Sequence, residues 1–376
     1  MDERVDVIAI FDTVTGRRLG RLPASSWKWT GELNSSGSAS ATISLSQDTV
    51  GMDLRENTRP WRTILAVIDG DRVRHAGPIY QREWDSDTLT LTLQAGGFWD
   101  YLKRRLVLTR QVITYTGGTI PTSEDEFPAQ WKLDLFGSLG DIARALVEET
   151  LQWGTLPVIL PPVEGGQNMR TYLGPDFASV GARLEDLTRV IDGPELLFQP
   201  RLEDGGARLA FHMLTGSPEL VTDTHTWDQR RSATPITGLR ITEDASTQTG
   251  DAWAKAGAQD DTVLLARTHD TWLEDAGWPL LQSSDSSHTT VSDLATLRSY
   301  TQGAVAARTK NTESITFKAR RTDEAGGALG DALTVGDHVR LRAADPYLGN
   351  VTYALKVIEL SGDEGDWVSV GCREVA

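Results

Sequence analysis

The sequence predicts a mainly β protein with an α+β insertion, and three observations carry that expectation. Residues 60–105, PWRTILAVIDGDRVRHAGPIYQREWDSDTLTLTLQAGGFWDYLKRR, pass through three runs of strand type separated by tight turns. Residues 312–376 show the same grammar, with Ile315, Phe317 and Ala319 alternating before a second hairpin. Between these ends, apolar residues recur at helical rather than strand spacing, as at Ile142, Ala143, Leu146, Val147 and Leu151. The expected organisation is multi-domain: residues 1–105 an N-terminal β domain, 106–213 an α+β domain, 214–311 a mixed α/β domain and 312–376 a C-terminal β domain. Two β-barrel or sandwich units would then flank mixed α+β domains, and strands near 234–243 are candidates to pair with the last unit.

Each element follows from local pattern. Residues 5–11 alternate Val5, Val7, Ala9 and Phe11; Trp27 and Trp29 share one face of WKWTGEL; Ala39, Ala41, Ile43 and Leu45 alternate with Ser40, Thr42 and Ser44. Residues 47–59 read as a loop. Ile64, Ala66 and Ile68 then face one way and Leu65 and Val67 the other, with Asp69-Gly70-Asp71 as a hairpin turn in which glycine tolerates positive φ. Ile79 and Trp84 lie on the next run, Asp85-Ser86-Asp87 turns the chain, and Leu89, Leu91 and Leu93 alternate with threonines. Gly96-Gly97 ends the sheet, and Phe98, Trp99, Tyr101 and Leu102 open a short amphipathic helix.

The middle of the chain changes character. Residues 106–115 read as a strand and 116–130 as a long surface loop. Ser138 is a candidate N-cap for a helix over 139–153. Asp176 is a candidate cap for a second, with Phe177, Val180, Leu184, Leu187 and Ile191 on one stripe and Gly193-Pro194 as its stop. Residues 195–200 and 207–213 form a hairpin around Glu203-Asp204-Gly205-Gly206. Strands are expected at 236–241, about Trp253 and at 262–267, and a helix at 291–307 capped by Thr290 or Ser292. Near the end, 333–341 turns at Gly336-Asp337 into a strand, and 353–360 pairs with 367–372. Comparing VIELSGDEGDWVSVG (357–371) with IYQREWDSDTLTLTLQ (79–94) shows a strand, an acidic turn and an alternating strand in each, which points to related β units at the two ends.

Composition bounds the function classes. The 376 residues carry 37 Lys plus Arg against 53 Asp plus Glu, a net charge of −16 that disfavours a sequence-reading nucleic-acid binder or an anionic-membrane binder. MDERVD lacks an apolar h-region, and the longest apolar runs are far too short to span a bilayer, so a soluble chain made in a reducing cytoplasm is expected. The single cysteine, Cys372, excludes an intramolecular disulfide framework and a multi-cysteine zinc site.

The order of elements in 60–105, with Gly77-Pro78-Ile79 before the last hairpin and FWDYLKRR after it, resembles the tail-tip (baseplate) hub proteins of long-tailed bacteriophages. The preference for Arg and Ala over Lys, of which there are 7, suggests GC-rich coding and the actinobacteriophage minor tail proteins within that group. The resemblance implies a structural virion protein at the tail tip, synthesised in the host cytoplasm: a homotrimer seated on a six-fold tube, opening for DNA ejection. It implies as partners a distal tail protein ring, the tape measure protein, and tail fibre or receptor-binding proteins for host attachment. The genome would pass without specific binding, and no membrane anchor is implied. Two similar β units in each of three subunits would make a pseudo-hexameric ring, and a negative bore would keep DNA from sticking.

No catalytic, cofactor-binding or metal residues are assigned. G-x-S-x-G, H-E-x-x-H, an EF-hand loop, Walker A and G-x-G-x-x-G are all absent from the sequence. Cys372 lies four residues from the end, with no histidine after it, and reads as a small strand residue. Among His75, His212, His225, His269, His288 and His338, the densest donor group is His269-Asp270 with Glu274 and Asp275, near Asp285 and His288; such loops are usually only solvated. The 12 tryptophans fill β cores or, where exposed, make contacts; EDAGW (274–278) is the candidate contact. A tail-associated cell-wall hydrolase and a carbohydrate-binding tail module stand as alternatives to the structural hub.

Overall fold

The structure is a computed structural model that describes residues 7–46, 49, 51–121, 127–230, 234–259, 262–288, 291, 293–308, 312–322, 330–347 and 349–375. Val5, Thr290 and Ser292 lie outside the described residues, as do parts of the expected loops at 47–59 and 116–130.

The first unit runs β1 (Val7–Asp12), β2 (Arg18–Leu22), β3 (Ala24–Glu32), β4 (Ser38–Ser44), α1 (Leu54–Asn57), β5 (Thr63–Asp69), β6 (Arg72–Asp85), β7 (Thr90–Ala95) and α2 (Phe98–Lys103). Its strands lie in the order β3-β4-β7-β6-β5-β1-β2, all antiparallel. Every residue of β5 is buried, because both faces of the sheet are covered. Leu65 and Val67 enter one core with Ile8, Ile10, Ala41 and Leu93; Ile64, Ala66 and Ile68 enter a second with Phe98, Trp99 and the helices beyond. The even alternation read from the sequence therefore serves two cores rather than a core and solvent.

The α+β insertion supplies the cover on the second face. It comprises β8 (Lys132–Gly137), α3 (Leu139–Leu151), β9 (Val158–Ile159), β10 (Asn168–Leu173), α4 (Val180–Thr188), β11 (Leu196–Glu203) and β12 (Arg208–Thr215). Ser138 caps α3 in a full capping box with Asp141, whose carboxylate also accepts from the amides of Glu164 and Gly165. Two expectations fail here. Residues 106–115 form no strand: Leu106 makes a single bridge to Ser179 and Arg110–Val112 is a 3-10 turn, because the segment has no neighbouring strand to pair with. The cap of α4 is Ser179, not Asp176. The chain turns sharply at Phe177 (φ 48°), leaving that ring 61% exposed, and the helix ends at Thr188, leaving Ile191 exposed.

The second unit begins with β13 (Thr224–Asp228) and β14 (Ile236–Asp244). A compact insertion follows: β15 (Asp251–Gln259), β16 (Thr262–His269), α5 (Trp272–Asp275), β17 (Gln282–His288) and α6 (Leu294–Arg308). Its three strands form their own sheet, and small residues Ala254, Ala256 and Ala266 let α6 approach through Leu297. Asp293 accepts from the Thr296 amide and so caps α6. The unit resumes with β18 (Thr312–Arg320), β19 (His338–Asp345), β20 (Gly349–Asp363) and β21 (Trp367–Glu374).

Strand order in this second unit is β14-β18-β21-β20-β19, and in the first it is β3-β4-β7-β6-β5, with the same chain order and antiparallel pairing at every step. Both long strands carry a bulge at the same place, Ile79/Gln81 against β7 and Val357/Glu359 against β21. The carbonyl before each bulge accepts from a residue at positive φ, Trp61 in one unit and Gly336 in the other. The copies differ at their first strand: β1 is antiparallel to β5, whereas β13 is parallel to β19. The fold is thus mainly β, with two copies of one five-strand pattern.

Candidate functional site

The features that organise this molecule lie where its two β units meet. The join is a pairing of main chains: β3 lies antiparallel to the second half of β20, from Glu32 opposite Glu359 to Lys28 opposite Asp363. Two sheets become one, and one apolar core runs beneath both, from Ile8 and Ile43 to Phe317 and Val370.

Two buried ion clusters lock this arrangement. Where the β5–β6 hairpin meets the second unit, Arg74 sits 2.6 Å from Asp69 and 2.7 Å from Asp331, and Arg321 lies 3.0 Å from Asp69 and 3.1 Å from Asp331. Two cations and two carboxylates balance, which lets the group persist out of water. Burial works to raise the Asp69 carboxyl, but the Arg74 hydrogen bond and charge, joined by Arg321, hold it below the usual carboxylate range. In the second cluster, Lys356 (no side-chain exposure) lies 2.5 Å from Glu195, which also meets Arg373 and accepts from the Leu220 amide. Glu195 precedes β11, so this cluster ties the insertion to the second unit. In a third cluster, Asp337 is buried and accepts from the Thr222 hydroxyl, His225 Nε2 and the Thr334 amide. These three clusters were not legible in the sequence, since their members are far apart in the chain.

The sequence-level donor candidates do not converge. His269 pairs with Glu274 at 3.0 Å, Asp275 accepts from Thr271, and Asp285 pairs with His288 at 3.2 Å beside Tyr300. Among the described residues no group of three or more His, Cys, Asp or Glu could hold a metal ion. His75 is buried against the Gly96 carbonyl at 2.8 Å, and desolvation lowers its pKa. Cys372 is buried in the shared core, and burial pushes its thiol up to about 12, the opposite of an activated nucleophile.

The tryptophans divide as the sequence allows. Trp29 is buried and Trp27 packs half-buried against the same core. Trp272 and Trp278 are about half exposed, with rings 6.3 Å apart and nearly parallel at 20°. Leu280 is exposed nearby in sequence, and Trp253 and Leu265 are exposed on the outer face of the β15–β16 sheet.

Several strand edges of the large sheet lie open among the described residues: β2 pairs only with β1, β13 only with β19 and β14 only with β18, and residues 81–85 of β6 extend beyond the end of β5 with no strand on the side away from β7. Sequence patterning marked β6 and β14 as strands but could not say which of their sides lacked a neighbour.

No family model matches the chain, and no curated protein matches it. Solved structures do share its fold along nearly the whole length. The tail protein from Neisseria meningitidis MC58 is 13% identical, with 98% of this chain and 96% of that chain covered and a TM-score of 0.54. The 43 kDa tail protein of prophage MuSo2 from Shewanella oneidensis is 12% identical, with 98% of each chain covered and a TM-score of 0.56. The mainly β architecture with its inserted α+β units is therefore a fold shared with these two tail proteins.

Proposed function

We propose that the chain is a structural virion protein, a trimeric hub that closes the distal end of a phage tail tube and links it to the host-recognition apparatus. The observation that carries this reading is the repeated five-strand pattern within one chain. Three chains would present six similar β units, which suits a six-fold partner above them. The shared fold of tail proteins along 98% of the chain supports it. Its partners would be a distal tail protein ring, the tape measure terminus and tail fibres or receptor-binding proteins. The excess of 53 acidic over 37 basic residues suits a bore through which DNA passes without binding. Opening for ejection would be a two-state change at subunit interfaces. No catalytic step is assigned to it.

Mass photometry of the purified chain with a hexameric distal tail ring tests the reading. Three copies per ring support it; one copy or six would refute it. A second reading, a carbohydrate contact, is favoured by the exposed Trp272–Trp278 pair, because aromatic faces stack on sugars. Glycan-array binding that is lost in Trp278→Ala would support that role.

A further inference from the structure

The pairing of β3 with β20 joins the second half of one unit's long strand to the edge strand of the other unit. Because the units repeat, the same two surfaces occur once more. The counterpart of β20 is β6, and the counterpart of β3 is β14. In this molecule both of those surfaces lack a strand partner among the described residues, and an open strand edge is a template for another chain. We propose that copies of this chain join head to tail, the outer edge of β6 in one copy pairing antiparallel with β14 of the next. The register would be the one the molecule already uses internally. The proposal rests on the oligomeric part of the hub reading and specifies which residues meet.

The shared bulge sets Gln81 in the place of Glu359 and Asp85 in the place of Asp363. Through their neighbours β4 and β18, Lys28 corresponds to Arg240, Trp29 to Ile241 and Glu32 to Asp244. The internal pairs Asp363–Lys28, Gly362–Trp29 and Leu360–Gly31 therefore predict Asp85–Arg240, Trp84–Ile241 and Arg82–Glu243 between copies.

This register follows from strand pairing alone, yet it sets Asp85 against Arg240 and Arg82 against Glu243, both opposite in sign. Cross-strand pairs of opposite charge stabilise an antiparallel ladder and like charges oppose it. The exposed Trp84 ring (48%) gains the half-buried Ile241 as its neighbour, just as Trp29 covers Gly362 inside the chain. Arg82 donates within its own copy to the Arg55 carbonyl, and its guanidinium has donors to spare. Each chain has one such β6 edge and one such β14 edge, so the contact is heterologous and a closed ring pairs both of them in every copy.

The test is a pair of measurements on the full chain. Glu83→Cys with Thr242→Cys places thiols on directly opposed residues, within disulfide reach; Cys372 is buried and leaves the background low. Mild oxidation should give covalent oligomers on a non-reducing gel, absent from either single variant. Arg240→Asp sets like charges opposite Asp85 and should weaken assembly at least tenfold by light scattering, with the monomer's melting unchanged. Adding Asp85→Arg should restore it. An oligomer of normal mass with no 83–242 bond and no response to charge reversal overturns the edge pairing and leaves the hub reading standing. A chain that stays monomeric with the tail ring present overturns both.

Discussion

Gly362 lies against the indole of Trp29: a Cβ placed on this glycine would come 3.1 Å from Trp29 Nε1, and the two residues are cross-strand partners at the seam. The missing side chain leaves room for the indole, which would have to give by a few tenths of an ångström to admit even a Cβ. Gly362→Val forces the indole away from the shared core and is expected to cost about 1–3 kcal/mol, the usual range for overpacking. Urea denaturation measures it. A variant as stable as the parent would mean that the seam is looser than this contact implies.

The thiol of Cys372 is a second probe of the same core. It is 1% exposed on β21, and desolvation raises its pKa to about 12. The thiolate is the reactive form, so labelling by an aromatic disulfide at neutral pH should proceed only as fast as the chain opens. Labelling in denaturant should be complete at once. Fast labelling of the native chain would place Cys372 outside the core.

The strands were legible where one face or both met a core, because period-two patterning survives in Leu91 and Leu93 or Val368 and Val370. Elements fixed by tertiary contact were not legible. Residues 106–115 have strand composition yet find no partner, and Phe177 interrupts an apolar stripe because the chain there turns through a left-handed conformation. The repeat was visible in the sequence only as two similar hairpins. Its force came from the common bulge and strand order, which are properties of pairing rather than of residue type. The ion clusters escaped altogether: Arg74 and Asp331 are 257 residues apart in the chain.

Trp272 and Leu273 are neighbours with opposite fates. Leu273 is 1% exposed and anchors α5, whereas Trp272 is 50% exposed beside Trp278. Leu273→Ala should cost about 2–5 kcal/mol through lost burial and a cavity. Trp272→Ala should change stability by no more than about 0.5 kcal/mol, as exposed substitutions do. If the tryptophan pair is a contact surface, Trp272→Ala will lower binding to tail fibres or glycans at unchanged stability. Equal destabilisation by both variants would make the pair structural.

The Asp69 network predicts an acid-sensitive seam. Its carboxyl has a folded pKa below the unfolded value of about 3.9, so the unfolded chain binds the proton more readily. Stability from this group is therefore fully present above about pH 4–5 and is lost as pH falls towards the folded pKa. Asp69→Asn leaves Arg74 and Arg321 against Asp331 alone and should cost about 3–5 kcal/mol at neutral pH, the range for breaking a buried pair. The variant should then lose less than the parent on moving from neutral pH to about pH 3, because the titrating group is gone. Urea midpoints at the two pH values check this, and parallel losses in parent and variant would show that Asp69 does not set the acid limb.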